Sequence, residues 1–378
     1  MGIKGVFGEE HMKKIIALLG ATALTATAAH SAGIDRSGQS VGILFEKGNY
    51  AEYNFGRVSP KVSGISTVYS GSANQNSGDM SADYNQFGGA VKLQFNDSLS
   101  GAIIVDNPFG ADVNYPAGTT YFARGATADL NTFAITGLVR YKMPSNLSVY
   151  GGIRYQTMDA KAAVPFVAGY TVTGDKDGAV GYVVGVAYEK PEIALRVALT
   201  YNSKIKHELA TSESSLAGPL STTTTITTPQ SFNLEFQSGV AKDTLVFGSV
   251  RWVEWSKFDI TPTQYNFLTK GGSLVAYRDD RITYALGVGR RLNPNWAVSA
   301  SVGYERSVGG FSANLGPTDG KKSVTLAAVY TKDAIKITGG ISYVKVGDAQ
   351  TTLDNTNAAS NFTGNKAIGV GVKVGYSF

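Results

Sequence analysis

Over the last thirteen residues, KAIGVGVKVGYSF, apolar side chains stand at every second position: Ile368, Val370, Val372, Val374, Tyr376 and Phe378. The residues between them, Ala367, Gly369, Gly371, Lys373, Gly375 and Ser377, are small or polar. A period of two is that of a β-strand with one apolar face. The pattern recurs at Leu147, Val149, Gly151, Ile153, Tyr155; at Ile193, Leu195, Val197, Leu199, Tyr201; at Trp296, Val298, Ala300, Val302, Tyr304; and at Ile335, Ile337, Gly339, Ile341, Tyr343. Each of these faces ends on a tyrosine. A chain made almost wholly of such segments must find something apolar for all of them to face, either a second sheet or lipid.

Turn spacing decides between the two. Asn96-Asp97, Met143 to Asn146, Glu189 to Pro191, Ala241 to Asp243, Leu292 to Asn295 and Thr331 to Asp333 carry tight-turn chemistry with alternating segments on both sides. Between these hairpins lie longer polar stretches, near 69–83, 108–125, 161–176, 207–228, 259–279, 307–320 and 347–365. Short turns at one end and long loops at the other are expected of an outer-membrane barrel. Counting a first strand from Tyr50 to Val68 and the last over 366–378 gives about fourteen strands, an even number that puts both chain ends on the short-turn side. A secreted β-sandwich is the competing reading, but its strands average about 5–6 residues. Most segments here reach the roughly 9–11 residues that cross hydrocarbon. Aromatic residues at strand ends match interfacial girdles. The expected fold class is therefore all-β, a transmembrane antiparallel barrel of about 14 strands.

Composition supports this in two ways. Charged residues are 17% of the 378, below the roughly 25% usual for soluble domains. The net charge of +5 comes without blocks of like charge, which is poor ground for a nucleic-acid partner. There is no cysteine, which removes thiol catalysis, disulfides and cysteine metal sites. From Met12, the segment MKKIIALLGATALTATAAHS has the form of a secretory signal peptide with cleavage after Ser31, and residues 1–11 read as an extraneous or mis-started leader. After Ala32 no apolar run approaches the roughly 20 residues of a membrane helix. The expected organisation is thus a leader at 1–11, a signal peptide at 12–31, an N-terminal plug at 32–48 and a barrel at 49–378.

Fourteen strands lie between the filled eight-stranded barrel and the open 16- to 18-stranded pore, so the lumen needs a plug. Segment 33–48, with its apolar Val41-Gly42-Ile43-Leu44-Phe45, is the candidate; a periplasmic tail is the alternative. If the apolar rows face lipid, then Lys92, Arg140, Arg154, Arg196, Lys336 and Lys373 face inward, joined by Glu235 and by the apolar Leu138, Val183, Ala187, Ala327 and Val329. Such cations could bind the carboxylate of an amphiphile by charge-assisted hydrogen bonds, or pair with acids of the plug or lumen.

Several stretches resemble the FadL-type family of outer-membrane transporters for long-chain fatty acids and hydrocarbons: DSLSGAIIVDNPFG (97–110), TYNSKIKHEL (200–209), TPQSFNLEFQSGVAKDTLVFGSVRWVEWSKF (228–258) and YRDDRITYALGVGRRLNPNWAVSASVGYERS (277–307). The resemblance runs from about Gly33 to Phe378. It implies a monomeric fourteen-stranded barrel in the cell outer membrane and an N-terminal hatch. It also implies passive uptake of hydrophobic molecules captured by outer loops, with lateral exit into membrane lipid at a kink in the third strand, here about Ser100 to Asn107. Asn107, Pro108, Phe109 and Gly110 are the residues it marks for that exit, and Pro108 also lacks a ladder donor. The family's longer hatch with an Asn-Pro-Ala element is absent, replaced by 33–56, and the first loops are shorter.

Other functions find little footing in the residues. No phosphate-cradling loop precedes a helix, since Gly287-Val288-Gly289 falls within a strand pattern. Ser-His hydrolysis would have to use His207, the single histidine after the leader, which reads as a solvated residue without an evident carboxylate partner. One histidine with scattered acids is weak ground for zinc. A general porin, or an adhesin using an exposed tip at Ser221 to Thr225, is the remaining alternative. The sequence therefore predicts a passive transporter of hydrophobic compounds, without enzymatic activity, cofactor or metal.

Overall fold

The computed structural model of the protein describes residues 34–378. The predicted leader and signal peptide lie outside the described residues. Fourteen antiparallel strands close on themselves. They are β1 (Tyr50–Lys61), β2 (Tyr84–Gln94), β3 (Leu99–Asp106, resuming at Gly110–Asn114), β4 (Thr127–Lys142), β5 (Leu147–Val164), β6 (Tyr170–Lys190) and β7 (Leu195–Asn202, resuming at Ile205–Ser215). Then follow β8 (Gly218–Thr228, resuming at Ser231–Ala241), β9 (Thr244–Val253), β10 (Arg281–Arg291), β11 (Trp296–Glu305), β12 (Lys321–Lys332), β13 (Ile335–Val346) and β14 (Lys366–Ser377). Closure is made by β1 against β14, in register from Tyr50↔Ser377 to Lys61↔Lys366. No sheet edge is left open at the seam.

The period-two pattern sorts faces as the alternation requires. On β4 and β5, Ile135, Val139, Ile153 and Tyr155 point outward and are 42–65% exposed, while Thr136, Arg154 and Gln156 point inward and are at most 4% exposed. In water such an outer surface would forfeit about 25 cal/mol for each Å² of apolar area left uncovered, so the outer surface is built for hydrocarbon. Aromatic belts bound it: Tyr182, Tyr201, Phe232 and Trp252 form a chain with ring centroids 5.0–5.8 Å apart at the upper rim. Trp296 and Tyr330 stand 5.0 Å apart at the lower rim, where Phe378 stacks on Tyr376.

Turn chemistry explains the lower rim. The backbone adopts positive φ at Asn146, Asp243 and Asp333, residue types that tolerate the left-handed region. At the other end the structure differs from the sequence reading. Stretches 161–176 and 207–228 are not loops, because β5, β6, β7 and β8 run through them and turn only at 165–169 and 216–217. Ser221 to Thr225 is accordingly no loop tip: it pairs with Glu208 to Ser212. The reason is that β4, β5 and β6 have 16, 18 and 21 residues, well beyond the roughly 9–11 needed for hydrocarbon, and their outer halves carry polar rather than apolar outward residues. The first strand stops at Lys61 and not at Val68. Loop segments 64–66, 311–312, 349–352 and 358–362 build a small four-stranded sheet at this outer end.

Close approach of β4 to β5 supplies a test. A Cβ at Gly152 would lie 1.8 Å from the Gly137 carbonyl oxygen, whereas one at Gly137 would meet nothing within 4 Å. Gly152→Val should cost about 1–3 kcal/mol or more through backbone displacement and lower the temperature at which the barrel loses its fast-migrating folded band in detergent gels. Gly137→Ala should leave that temperature within a few degrees of wild type.

Candidate functional site

The N-terminal segment runs through the lumen and organises it. Asp35 forms an antiparallel bridge with Phe109; the Arg36 amide donates to the Pro108 carbonyl at 2.8 Å and the Gly110 amide donates to Ile34 at 2.8 Å. Val41, Ile43 and Leu44, at most 3% exposed, pack in a short 3-10 turn (Gly42–Phe45) against Leu138, Tyr150, Val183 and Ala187. At the centre, Arg251 donates to Asp35 Oδ2 at 2.9 Å, to Ser231 at 3.1 Å, to Asn233 at 2.7 Å and to Gln39 at 3.3 Å. Sequence reasoning missed Arg251, and the signal was available: it occupies an inward position between the outward Val250 and Trp252 in β9.

The six candidate cations all face inward and are at most 8% exposed. Five of them grip residues 44–52. Lys92 donates to the Gly48 carbonyl at 2.8 Å and Arg140 to the Leu44 carbonyl at 2.9 Å, with Glu189 as its ion-pair partner. The Arg196 guanidinium sits 4.6 Å from the Phe45 ring centroid, Lys336 bonds Glu46 at 3.1 Å, and Lys373 pairs with Glu52 at 3.4 Å. Arg154 instead ties the wall together through Thr136 and Asn202, at 2.9 and 3.0 Å.

Above these contacts lies an apolar cavity of about 180 Å³. Val58, Val62, Met80, Leu130, Val172, Leu209, Ile226, Phe258, Ile260, Leu274 and Leu315 line it, together with the charged Arg36, Asp112, Asp129, Lys161 and Lys321. None of the six candidate cations lines it. A roof covers it from the outer side. Glu213, 2% exposed, accepts from the amides of Gln264 and Tyr265 at 2.8 and 3.1 Å and from the Tyr170 hydroxyl at 2.8 Å, so it anchors the short helix α1 (Thr263–Leu268) to the β5–β6 hairpin. Burial, then the neighbouring Glu213 carboxylate, push the Tyr170 phenol above its ordinary value, so it stays a donor at any physiological pH.

The wall beside the cavity is interrupted. Pairing of β2 with β3 ends at Gly89↔Val105, so Tyr84 to Gly88 pair on one side only, with β1. Past Asn107-Pro108-Phe109 the strands meet again only at the Ser81↔Val113 bridge and the Ala82 amide bond to Asp112. Arg36 fills the window so formed: it donates to the Gly110 carbonyl at 2.9 Å, pairs with Asp112 at 2.9 Å and lies 3.2 Å above the Tyr84 ring centroid. Of the four residues marked at the kink, Asn107 donates to the Thr132 carbonyl at 2.7 Å, Pro108 and Gly110 bond the N-terminal segment, and Phe109 packs edge-on against Trp255 at 5.9 Å.

His207 corrects the sequence reading. It is fully buried in β7, not solvated, and it has a carboxylate partner: Nδ1 is 3.1 Å from Asp177 Oδ2. Its Nε2 is 3.1 Å from the Gln156 amide nitrogen. An N–H of Gln156 directed at Nε2 fixes the neutral Nδ1–H tautomer and occupies the lone pair a general base would use. The residue braces the wall.

Removing the hub tests how the segment is held. Arg251→Ala leaves Asp35 buried without its ion-pair partner, a change of about 3–5 kcal/mol. A single cysteine placed at Gln39 in this cysteine-free chain should then react with a polar maleimide at least tenfold faster than in the Arg251 background.

Comparison with known proteins places this geometry. The family model described as outer membrane protein transport protein (OMPP1/FadL/TodX) matches residues 43–378. Among solved structures, a FadL homologue of Pseudomonas aeruginosa superposes with a TM-score of 0.73 at 13% identity, covering 96% of this chain and 99% of the other. The toluene transporter TbuX of Ralstonia pickettii gives 0.64 at 12%, covering 94% and 97%, and the toluene transporter TodX of P. putida gives 0.64 at 13%, covering 96% and 97%. Among curated proteins the chain has no significant match. With a barrel built for lipid, a segment threaded through its lumen and a family model spanning most of its length, the chain belongs to the FadL/TodX family of outer-membrane transporters of hydrophobic compounds.

Proposed function

We propose that the protein takes up long-chain fatty acids or similar hydrophobic compounds passively, holds them in the lumen and releases them sideways into the outer membrane. The observation that carries this is the adjacency of the apolar cavity to the strand-3 window: Arg36 and Asp112 belong to both. Burying about 200 Å² of a small aromatic guest stabilises it by about 5 kcal/mol, enough to draw it from water. Transfer onward to the bilayer costs little, because one apolar environment replaces another. No energy source is required. The N-terminal segment obstructs a polar axial path, which favours uptake of hydrophobes over porin-like conduction, and the capped Nε2 of His207 disfavours the hydrolase alternative. Four of the six lumenal cations, Lys92, Arg140, Arg196 and Lys336, seat the segment; a carboxylate-bearing ligand would have to compete with Glu46, Glu52 and Glu189 for these and for Lys373. On this reading the protein works as a monomer, its first and last strands sealing against each other rather than against a second copy.

Proteoliposome uptake of a radiolabelled hydrophobe checks the reading. Leu209→Trp, which fills the cavity, should slow uptake at least fivefold while the barrel stays folded. Arg36→Ala, which clears the window, should speed transfer to the lipid phase severalfold. Large steady ion conductance together with uptake indifferent to both changes would show a general pore instead.

A further inference from the structure

A second cavity, of about 130 Å³, lies one level below the first along β14, β1 and β2. Its wall there lacks side chains, since Gly88 and Gly371 face inward beside Asn54. Its chemistry differs from that of the apolar cavity. Gln86 lines it at 4% exposure with neither amide atom hydrogen-bonded. Also on its lining, Asp106 accepts from Ser37 through Oδ2 and leaves Oδ1 without a partner. A buried polar atom without a partner costs about 1–3 kcal/mol, and a donor and an acceptor orphaned together on one amide form a recognition element awaiting its complement. Among the described residues only three charged ones line the cavity: Glu52, Asp106 and Lys373, the last already paired with Glu52. A carboxylate entering here would meet two acids and one committed cation. The rest of the lining includes Ile43, Phe87, Ile104 and Val105.

We propose that this lower cavity is a polar-group subsite that takes a neutral molecule with an apolar body and one hydroxyl or carboxamide, a phenol being the simplest case. The ligand's hydroxyl would donate to Gln86 Oε1 and accept from Nε2, while its ring lies against Ile43 and Ile104. At about 10–15 Å³ of water-sized space per small body, the cavity holds on the order of ten non-hydrogen atoms, a single substituted ring. Its lining reaches Asp106 and Asn107 at the foot of the strand-3 window, so a ligand held here is placed for the same exit. The proposal rests on the uptake reading and sharpens its substrate class: the upper cavity accepts any small hydrophobe, and the lower one selects among them.

The test measures binding of four ring compounds of like size to detergent-purified full-length protein by native mass spectrometry, corrected for micelle partitioning: toluene, 4-methylphenol, 4-methylanisole and 4-methylbenzoate. Wild type should prefer 4-methylphenol to toluene by about tenfold, the worth of one or two neutral hydrogen bonds, with the methyl ether falling back toward toluene and the benzoate weakest. Gln86→Leu should bring 4-methylphenol within twofold of toluene and leave toluene itself unchanged. Equal affinities in wild type, a preference kept in Gln86→Leu, or preferred binding of the benzoate each overturns the subsite. The wild-type series decides the matter even if the variant fails to fold. Binding of toluene without a phenol preference refutes this proposal alone, whereas no binding or uptake of any of the four refutes the transporter reading with it.

Discussion

Every backbone N–H and C=O that faces hydrocarbon must find a partner within the protein, and the pairing of β1 with β14 is what makes this possible. That seam runs the whole length of β1. It also fixes what the rest of the molecule can do. A closed ladder is stiff and continuous, so any place where it is interrupted needs another source of hydrogen bonds. The largest interruption, at Asn107-Pro108-Phe109, finds that source in the N-terminal segment, which supplies an acceptor at Ile34 and donors at Arg36. The segment therefore completes the wall at that point. The paired breaks in β7 and β8, at 203–204 and 229–230, lie at one level and are spanned by side chains: Ser203 Oγ accepts from the Tyr182 amide, and Asn202 bonds Ser231.

Alternation made the barrel legible because lipid rewards one thing only. Each outward position of Ile335 to Tyr343 answers to hydrocarbon and is apolar, so its face can be read without knowing its neighbours. Turn residues were legible for a similar reason, since Asn146, Asp243 and Asp333 meet a local backbone requirement. The outer ends were harder. Polar residues at 207–228 look the same to a pattern search whether they form a loop or a strand standing clear of the membrane, and only the pairing of β7 with β8 separates the two.

The lumen was least legible, because an inward position is judged by partners far away in sequence. Arg251 meets Asp35 across 216 residues, and nothing in the local pattern around either distinguishes them from Arg154 or Lys336. Inwardness was readable for the six cations; the identity of what they hold was not. His207 shows the same limit. Its neighbours Lys206 and Glu208 are solvated, which makes the stretch look like a loop, yet the histidine between them points the other way into a fully enclosed bond with Gln156 and Asp177.

The way the segment is held has a mechanical consequence. Its lower part, Val41 to Phe45, is fixed by apolar burial against Leu138, Tyr150 and Val183 and by guanidinium groups 4.6 Å from the Phe45 ring. These contacts have no equally good substitute. Its upper part, Asp35 to Gln39, is held mainly by hydrogen bonds and ion pairs to Arg251, Asp106 and Asp112. Buried pairs of that kind recover little more than their own desolvation, so exchanging them for other polar partners or for water is nearly neutral. The two ends thus differ in what it takes to move them. On the lateral route proposed above, displacement of the upper part would free Arg36 from the window while Leu44 and Phe45 stay held below. On that proposed route an apolar guest would leave sideways without an aqueous path opening along the axis, which is the separation of pathways that passive hydrophobe transport through an otherwise tight membrane requires.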